Sequence, residues 1–355
     1  MNLLLSCIGK RGYIADYLRA HLQPGERIVG TSNTPWTPGF AACDAGLLLP
    51  PISSDEYVPA VLDACRRREI TGLLSFYDPD VVRLADHLDK LRAVGVTPLL
   101  PGPRAARDAF DKWRTFQVLR AAGIAVPDTT IDLVDALERL KRGELRFPLV
   151  VKPREGFGSA DVYVAHDELQ LRAFFSIAPG MLIQACVEGE MHDIEVLADP
   201  EGRVLEVTAW RKLASRIGET EQAITDDAPD LLGLGARLAR AIGLVGPMDV
   251  DLFRTPDGAL MVLELNLRFG GGYPVSHLAG ADFPGLIVDV FRGKRPEPVA
   301  GRFRPGVALP KGLQVMGGPV EPFLAELRSG LIGGSLDNVA RTGDASRRLM
   351  PEGTT

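Results

Sequence analysis

Residues 249–253 read DVDLF and residues 263–272 read LELNLRFGGG, and these two segments decide how the middle of the chain folds. Polar and apolar side chains alternate in both, which is the period of a β-strand with one buried face. The turn TPDG at residues 255–258 lies between them and carries the proline, aspartate and glycine that tight turns favour. The stretch therefore predicts two adjacent β-strands joined by a turn.

The polar side chains of this strand pair are expected on one side of a sheet. Asp249 and Asp251 share a face of the first strand, and Glu264, Asn266 and Arg268 share a face of the second. An ordinary amphipathic hairpin would display such side chains to water. A site that holds Mg²⁺ and phosphate is the other interpretation, because Mg²⁺ binds hard oxygen ligands and usually takes a few carboxylates together with phosphate oxygens.

The composition is typical of a soluble globular protein and argues against several classes of function. The 355 residues suffice for two or three compact units, and 46% of them are hydrophobic and 24% charged. A net charge of -6 gives no overall basic surface for nucleic acid. No apolar run reaches membrane-spanning length, and the apolar residues 3–8 resemble a buried first strand more than a signal peptide. We therefore expect neither a nucleic-acid nor a membrane partner.

The cysteines give a further indication of the compartment. The four of them, Cys7, Cys43, Cys65 and Cys186, are scattered without the spacing of a metal or redox motif. We expect reduced, mainly buried thiols, which are typical of a cytoplasmic protein.

The first part of the chain alternates short apolar runs with helical patterns. This alternation predicts a parallel sheet that is covered by helices on both faces. The turn GKRG at residues 9–12 follows the first strand at a helix start, where backbone N–H groups can bind an anion, although a plain glycine turn explains it as well. It does not match G-x-G-x-x-G, so a dinucleotide site is weakly supported. The predicted strands are 3–8, 28–31 and 72–76, and the predicted helices are 13–21, 57–68 and 81–94.

The remainder of the chain mixes strands and helices without an internal repeat. Its predicted helices are 108–123, 132–142, 231–242 and 284–292, and its predicted strands include 147–153, 162–164, 180–186 and 193–198. The tail from Arg295 is rich in proline and glycine, and its last segment, from Arg341, is expected to be poorly ordered.

A lysine and a glycine turn form a second candidate phosphate site. Lys152 ends an apolar strand just before the turn that contains Gly156, Gly158 and Ser159. A lysine in that position can hold a polyphosphate, while the glycines let backbone N–H groups approach the phosphate oxygens. The pattern is not the Walker motif, because no Gly-Lys-Ser/Thr follows.

Two further basic features have both a functional and an ordinary interpretation. Lys112 lies early in a predicted helix, where a surface lysine is the simpler explanation. Arg211, Lys212 and Arg216 form a basic cluster in a predicted loop, either as a solvated charge run or as cations that stabilise a transferring phosphoryl group.

The order of these pieces resembles the ATP-grasp superfamily, and within it the carbamoyl-phosphate-synthase-like carboxylate–amine ligases. The resemblance covers residues 101–292 and rests on five segments in order, FDKWRTFQVLRAAGIAVP, FPLVVKPREGFGSADV, LIQACVEGE, GPMDVDLF and LELNLRFGGGYP. It implies an α/β fold in which a parallel-sheet pre-ATP-grasp domain precedes an ATP-grasp domain of two α+β subdomains that clasp the nucleotide. The expected boundaries are 1–103, 104–294 with a lid at about 115–185, and a C-terminal segment at 295–355.

The resemblance also implies roles for individual residues. Lys112 and Lys152 would contact the phosphates of ATP under a lid formed by the glycine turn at residues 156–159. Arg268 would bind the phosphoryl group or the acyl phosphate, and one cation of the Arg211–Arg216 cluster would assist, without the sequence saying which. The family's metal positions, for Mg²⁺ or Mn²⁺, fall on Asp251, Glu264 and Asn266, and its adenine-binding hinge falls on Gln184, Ala185 and Val187.

Three positions depart from the family pattern. Ala185 replaces a glutamate that often follows the hinge glutamine, and because that residue usually acts through its backbone, the change is compatible with the function. Met191 occupies the place of a ribose-binding glutamate, which leaves Glu190 or Glu188 as substitutes. Asp251 stands where some relatives have glutamine, and aspartate is a good hard ligand.

The activity implied by the resemblance is ADP-forming ligation of a carboxylate to an amine through an acyl phosphate. The segment RFGGGYPVSH at residues 268–277 is expected on the acceptor side, with Tyr273 and His277 more consistent with packing than with substrate contact. A carboxylate held by Arg268 or Arg216 would favour amino-acid-like substrates. A homodimer is implied only at the level of the family.

Three other functions remain as alternatives. A nucleotide-binding regulatory module that has lost catalysis would be expected to lack at least one of Lys152, Asp251, Glu264 and Asn266, yet all four are present. An ATP-grasp enzyme with a nucleophile other than an amine is a further alternative. An oxidoreductase on the N-terminal sheet would need the dinucleotide fingerprint that residues 9–12 do not provide.

Overall fold

The computed structural model describes residues 1–312 except residues 157, 159, 217, 227 and 300. The predicted poorly ordered segment from Arg341 lies outside the described residues, and so does Ser159 of the glycine turn. The described chain forms three β-sheets with helices packed against them.

A five-stranded parallel sheet forms the N-terminal part, as the sequence predicts. Its strands are β1 (Asn2–Ser6), β2 (Arg27–Ser32), β3 (Ala45–Leu48), β4 (Gly72–Ser75) and β5 (Thr97–Pro98), in the spatial order β3-β2-β1-β4-β5. The surrounding helices are α1 (Gly12–Arg19), α2 (Tyr57–Arg67), α3 (Asp78–Ala85) and α4 (Leu88–Ala93), with a 3₁₀ helix at Pro38–Ala42. Strand β1 is buried on both faces, because Leu4 packs into one core and Leu3 and Leu5 into another.

Two predicted continuous helices are wrong, since each is interrupted. The helix predicted at 81–94 is divided into α3 and α4, because the backbone of His87 leaves the helical region at φ -129°. The helix predicted at 108–123 is divided into α5 (Pro103–Phe110) and α6 (Lys112–Ala121). Asp111 separates them with an extended backbone, and its carboxylate caps α6 by accepting a hydrogen bond from the Trp113 backbone N–H at 2.9 Å. Lys112 therefore begins a helix.

A four-stranded antiparallel sheet follows, with two helices that complete its core. The strands are β6 (Thr129–Thr130), β7 (Leu149–Pro153), β8 (Tyr163–Ala165) and β9 (Met181–Ala185), in the order β6-β9-β7-β8, and the helices are α7 (Leu133–Lys141) and α8 (Glu168–Phe175). Leu149 and Val151 of β7 are fully buried in this core. Because alternate side chains point to opposite faces, Lys152 is directed away from it.

A six-stranded antiparallel sheet carries most of the polar residues singled out above. Its strands are β10 (Glu190–Ala198), β11 (Val204–Arg216), β12 (Glu219–Thr225), β13 (Gly246–Arg254), β14 (Leu260–Asn266) and β15 (Ala308–Pro310), in the order β14-β13-β10-β11-β12-β15. The accompanying helices are α9 (Pro229–Ile242), α10 (Tyr273–Leu278) and α11 (Phe283–Phe291). Helix α9 covers one face of the sheet, where Gly235 lies so close to Ile194 and Val207 that an added Cβ would come within 2.8 Å of either side chain.

The predicted basic loop is wrong, because Arg211, Lys212 and Arg216 belong to strand β11. The strand prediction for residues 263–272 is correct only as far as Asn266, where β14 ends and Arg268 follows in a turn. Among the helices of the described residues, none has the length and apolar character needed to cross a membrane.

Candidate functional site

A cavity of about 500 Å³ lies where the four-stranded sheet, the six-stranded sheet and the N-terminal turns meet. Most of the residues selected from the sequence line it, namely Lys112, Lys152, Gly158, Gln184, Ala185, Val187, Lys212, Asp251, Glu264, Asn266 and Arg268. The other described candidates are outside the lining, namely Gly156, Glu188, Glu190, Arg211 and Arg216. Their roles toward a nucleotide stay predictions.

The strand register explains why the acids and the amide come together. Asp251 lies opposite Glu264, and Asp249 lies opposite Asn266, across the antiparallel pair β13–β14. On the other side of β13, strand β10 places Asp193 opposite Asp251 and Glu195 opposite Asp249. Directly paired residues share a face, so two rows of polar side chains run across the sheet. Asp193 and Glu195 were not selected from the sequence, although their alternation along β10 was a usable signal.

Lys212 compensates the charge of two carboxylates that line the cavity. Its Nζ lies 2.6 Å from Asp251 Oδ1 and 3.1 Å from Asp193 Oδ1. Burial opposes a charged lysine, but these two carboxylates outweigh it and raise the pKa of Lys212. Burial would likewise raise the pKa of Asp251, yet the adjacent lysine holds it below its usual value. For Asp193, burial and then the charge of Asp251 dominate, and its pKa is raised.

Two lysines approach the cavity from the opposite side. Lys112 Nζ donates a 2.8 Å hydrogen bond to the Gly156 carbonyl and lies 3.1 Å from Glu264 Oε1. Lys152 is 8% exposed, and burial lowers its pKa to about 8; Lys112 adds to this effect while Glu264 opposes it. A buried ammonium whose charged form is disfavoured would gain from a polyphosphate in the cavity, because the anion stabilises the charged form.

Arg268 joins the two parts of the chain at this cavity. Its Nε lies 3.1 Å from Asp78 Oδ2, at the start of α3, and its Nη1 lies 3.4 Å from Asp249 Oδ2. Burial opposes the charged guanidinium, but Asp78 and then Asp249 raise its pKa further above the usual range. Burial, with the charge of Asp251, raises the pKa of Asp249 to about 6. Asp78 was not selected, because nothing in the local sequence indicates a contact 190 residues away.

The N-terminal glycine turn contributes two cations to the cavity. Lys10 and Arg11, from the GKRG turn, are among its lining residues, and Arg11 Nη1 donates to the Phe76 carbonyl at 3.1 Å. The sequence identified the turn as a candidate anion site but not these two side chains.

Two of the three glycines that follow Phe269 are required by close packing. A Cβ on Gly272 would lie 2.1 Å from the Trp210 ring, and one on Gly270 would lie 2.4 Å from Asp249 Oδ1.

Tyr273, which the sequence associated with packing, is fully buried, and its hydroxyl bonds to the backbone of Ala281 and Phe283. His277 stacks on Tyr17 with ring centroids 3.8 Å apart.

The predicted hinge crosses from β9 into the cavity wall. Gln184 is buried and donates to Thr129 Oγ1 at 3.0 Å, while the Ala185 backbone N–H donates to the Asp128 carbonyl at 2.8 Å. Glu190, a candidate for the ribose, instead lies 2.7 Å from Arg211, and both side chains are exposed. Met191 lines the cavity in its place.

The donor set of Asp251, Glu264 and Asn266 fits Mg²⁺. Two carboxylates on directly opposed positions and an adjacent amide offer hard oxygens, and Asp251 and Glu264 both line the cavity. Within the described residues, no group of three or more His, Cys, Asp or Glu side chains is arranged to hold a metal by itself. A cation here would therefore need oxygens from phosphate or water, which is how Mg²⁺ is commonly bound in nucleotide sites.

Two protein-family models match the chain in the same order as its sheets. A PylC-like N-terminal domain matches residues 3–99, and an ATP-grasp domain matches residues 109–272. The N5-carboxyaminoimidazole ribonucleotide synthase of Mycobacterium leprae is 32% identical over 203 residues, which cover 51% of this chain and 45% of that protein.

Two further proteins that the chain is similar to are named as ligases. The D-alanine–D-alanine ligase of Mycolicibacterium smegmatis is 28% identical over 229 residues, which cover 56% of this chain and 61% of that protein. The chain thus spans less than two thirds of the length of these curated relatives. The crystal structure of an L-amino acid ligase from Bacillus licheniformis superposes with a TM-score of 0.65 at 21% identity, over 86% of this chain and 77% of the other, and supports the fold.

Proposed function

This chain belongs to the ATP-grasp ligase family, and we propose that it is an ATP-dependent, ADP-forming carboxylate–amine ligase. The resemblance stated from the sequence, and with it the predicted α/β fold with a parallel N-terminal sheet and an ATP-grasp domain, is confirmed by the family matches. Members of this family bind ATP or ADP with Mg²⁺. The activity of the whole chain, its substrates and its assembly are parts of the proposal.

The observation that carries the proposal is the arrangement of charges around one cavity. Lys112 and Lys152 project from one side, and Lys212 and Arg268 project from the acidic sheet on the other. Phosphoryl transfer depends mainly on positioning and charge neutralisation, and it requires no covalent protein nucleophile. These four cations, together with the opposed carboxylates of Asp251 and Glu264, suit a nucleoside triphosphate with its metal ion.

The proposed reaction has two steps. A carboxylate oxygen of the substrate attacks the γ-phosphorus of ATP, and the bond from this phosphorus to the β–γ bridging oxygen breaks. ADP departs as the leaving group, and the substrate is now an acyl phosphate. The amine nitrogen then attacks the acyl carbon, the carbon–oxygen bond to phosphate breaks, and an amide and inorganic phosphate form while the amine proton passes to solvent. Mg²⁺, held by Asp251, Glu264 and Asn266 when bound, would neutralise phosphate charge.

Residues of the chain are assigned the remaining roles, which are binding the phosphates, binding the carboxylate and excluding water. Lys112 and Lys152 would bind the phosphates of ATP, and Arg268 would bind the carboxylate and then the acyl phosphate. Of the basic cluster on β11, Lys212 is the member that lines the cavity, so it is the proposed additional cation. The glycine turn at 156–159 would close over the phosphates and exclude water, since an acyl phosphate hydrolyses readily.

Amino acids are the proposed substrate class. A guanidinium binds a carboxylate through two parallel hydrogen bonds, and Arg268 is held in place by Asp78 and Asp249. The names of two matched proteins, a D-alanine–D-alanine ligase and an L-amino acid ligase, point in the same direction. The proposal includes the domain boundaries 1–103, 104–294 and 295–355, a cytoplasmic location, a possible homodimer and tolerance of Mn²⁺ in place of Mg²⁺.

A pairwise screen tests the proposal. The purified chain is incubated with MgATP and all pairs of the common amino acids, ADP is measured, and products are identified by mass spectrometry. The proposal expects ADP together with a product whose mass is the sum of both substrates less one water. A catalytically silent nucleotide-binding module would bind MgATP without releasing ADP above the level of a Glu264→Gln control in any pair.

A further inference from the structure

Two buried carboxylate oxygens beside the cavity accept no hydrogen bond from the described residues. They are Oε1 of Glu195, which is 1% exposed, and Oδ1 of Asp249, which is 6% exposed. An unsatisfied buried carboxylate oxygen is costly, so it is rarely retained without a partner. Nothing in the proposed phosphate chemistry uses either oxygen.

The two oxygens lie beside each other. Glu195 of β10 is directly opposite Asp249 of β13, and both side chains are on the face that looks into the cavity. A Cβ on Gly270 would lie 2.4 Å from Asp249 Oδ1 and 2.7 Å from Glu195 Oε1, so the two oxygens lie close to each other and Gly270 packs beside both. Asp249 lines the cavity and Glu195 lies behind it.

The nearby cations, which include Arg11, donate no hydrogen bond to either oxygen, and Arg11 Nη1 donates instead to the Phe76 carbonyl at 3.1 Å. Arg268 and Asn266 both approach the other oxygen of Asp249, Oδ2, at 3.4 Å. Lys311 donates to the Gly271 carbonyl and lies 3.7 Å from Glu219. The pair Glu195–Asp249 therefore presents two acceptor oxygens to which no described residue donates a hydrogen bond.

Resting on the proposed function, we infer that Glu195 and Asp249 form the binding site for the α-ammonium group of the carboxylate-bearing substrate, which is an α-amino acid. An ammonium group has three N–H donors, enough to serve both oxygens. Arg268 contacts Asp249 at 3.4 Å, so a carboxylate bound to Arg268 places an α-ammonium next to Asp249. The carboxylate and ammonium groups of an α-amino acid are attached to the same carbon, which matches this adjacency.

Hydroxylamine trapping separates the first half-reaction from the choice of amine. The acyl phosphate reacts with hydroxylamine: its nitrogen attacks the acyl carbon, phosphate leaves, and a hydroxamate forms with release of a proton. The experiment compares each common L- and D-amino acid with the matching carboxylic acid that lacks the α-amino group, using the full chain, MgATP and hydroxylamine. The ferric hydroxamate absorbance gives kcat/KM for each pair.

The wild-type protein is expected to favour the amino acid over its des-amino counterpart by about 100-fold or more, because rejecting a substrate that leaves a buried ionic site unfilled is strongly discriminating. Glu195→Gln keeps the shape of the side chain and is expected to reduce that preference at least about tenfold. Glu195 is used because Asp249 also contacts Arg268. Glu206→Gln is the matched control, since Glu206 is a buried glutamate on the same sheet outside the cavity lining.

The possible outcomes are all decisive. Hydroxamate from amino acids alone, with the preference reduced in Glu195→Gln and kept in Glu206→Gln, supports the ammonium site. Equal rates with des-amino acids overturn it while leaving the ligase proposal intact, and would mean that water or a shared proton satisfies the two oxygens. No hydroxamate from any carboxylate overturns the proposed function and this inference with it. The wild-type comparison requires no variant, so it stands even if Glu195→Gln fails to fold.

Discussion

We expect the charged side chain of Lys152 to destabilise the ligand-free protein and to strengthen its binding of ATP. Its ammonium is almost fully buried, and burial lowers its pKa from the usual 10.5 to about 8. The variant Lys152→Met keeps a side chain of similar length without the charge. We expect the variant to be more stable than the wild type at neutral pH and to bind MgATP more weakly.

The magnitude follows from the difference between the two pKa values. A difference of about 2.5 corresponds to about 3 kcal/mol at 1.36 kcal/mol for each pKa unit. Below pH 8 the lysine is charged in both the folded and unfolded chain, so the folded state carries the full cost. Between pH 8 and 10.5 the folded chain loses this proton while the unfolded chain still holds it, and stability rises with pH. Above pH 10.5 the lysine is neutral in both the folded and the unfolded chain, so the cost of burying its charge is absent.

Thermal unfolding at pH 7 and at pH 10 measures this effect. The midpoint of Lys152→Met should exceed that of the wild type by roughly 5 °C at pH 7, and the gap should narrow at pH 10. Lys141→Met is the matched control, because Lys141 is exposed on α7 and its replacement should leave the midpoint nearly unchanged.

Titration calorimetry with a non-hydrolysable ATP analogue and Mg²⁺ measures the nucleotide affinity of Lys152→Met and of the wild type. Loss of a charged hydrogen bond to phosphate should weaken binding roughly 10-fold to 100-fold. A variant that is less stable than the wild type at pH 7, or that binds the analogue with unchanged affinity, would refute the reasoning.

Three other predictions follow from single contacts. Glu264→Gln should lower ADP formation by about 100-fold or more, through loss of a proposed metal ligand, while the thermal midpoint changes little; near-normal turnover would contradict the assignment. Gly272→Ala should cost about 3 kcal/mol, because its Cβ would meet the Trp210 ring at 2.1 Å, whereas Gly102→Ala, which has open space around it, should not lower the thermal midpoint comparably. MgATP should slow alkylation of Cys186, an exposed thiol in the cavity wall beside the hinge, as followed by peptide mass spectrometry; an unchanged rate would argue against adenine binding there.

Local periodicity predicted the parts of the fold that depend on neighbouring residues. The alternation in residues 249–253 placed Asp249 and Asp251 on one face, and the register with Glu264 and Asn266 agrees with it. The same alternation runs through Trp210 and Lys212 on β11, but the cluster of positive charges suggested a loop, and the strand was missed.

Other features depend on contacts that one sequence does not display. The break at Asp111 depends on its capping of Trp113 and on its ion pair with Arg154, 43 residues away. The partnership of Arg268 with Asp78 joins segments 190 residues apart, and no local pattern marks it. The family resemblance predicted which residues bind phosphate and metal. The unsatisfied oxygen of Glu195 depends on the three-dimensional packing around it, which the sequence does not reveal.

Transfer of oxygen from the substrate carboxylate tests the central claim most directly. The amino acid selected by the pairwise screen is prepared with ¹⁸O in its carboxylate and turned over with MgATP and the amine, and phosphate and nucleotides are analysed by mass spectrometry. An acyl phosphate intermediate predicts one ¹⁸O atom in the inorganic phosphate released with ADP. Label in AMP, or unlabelled phosphate accompanying the amide product, would contradict the account.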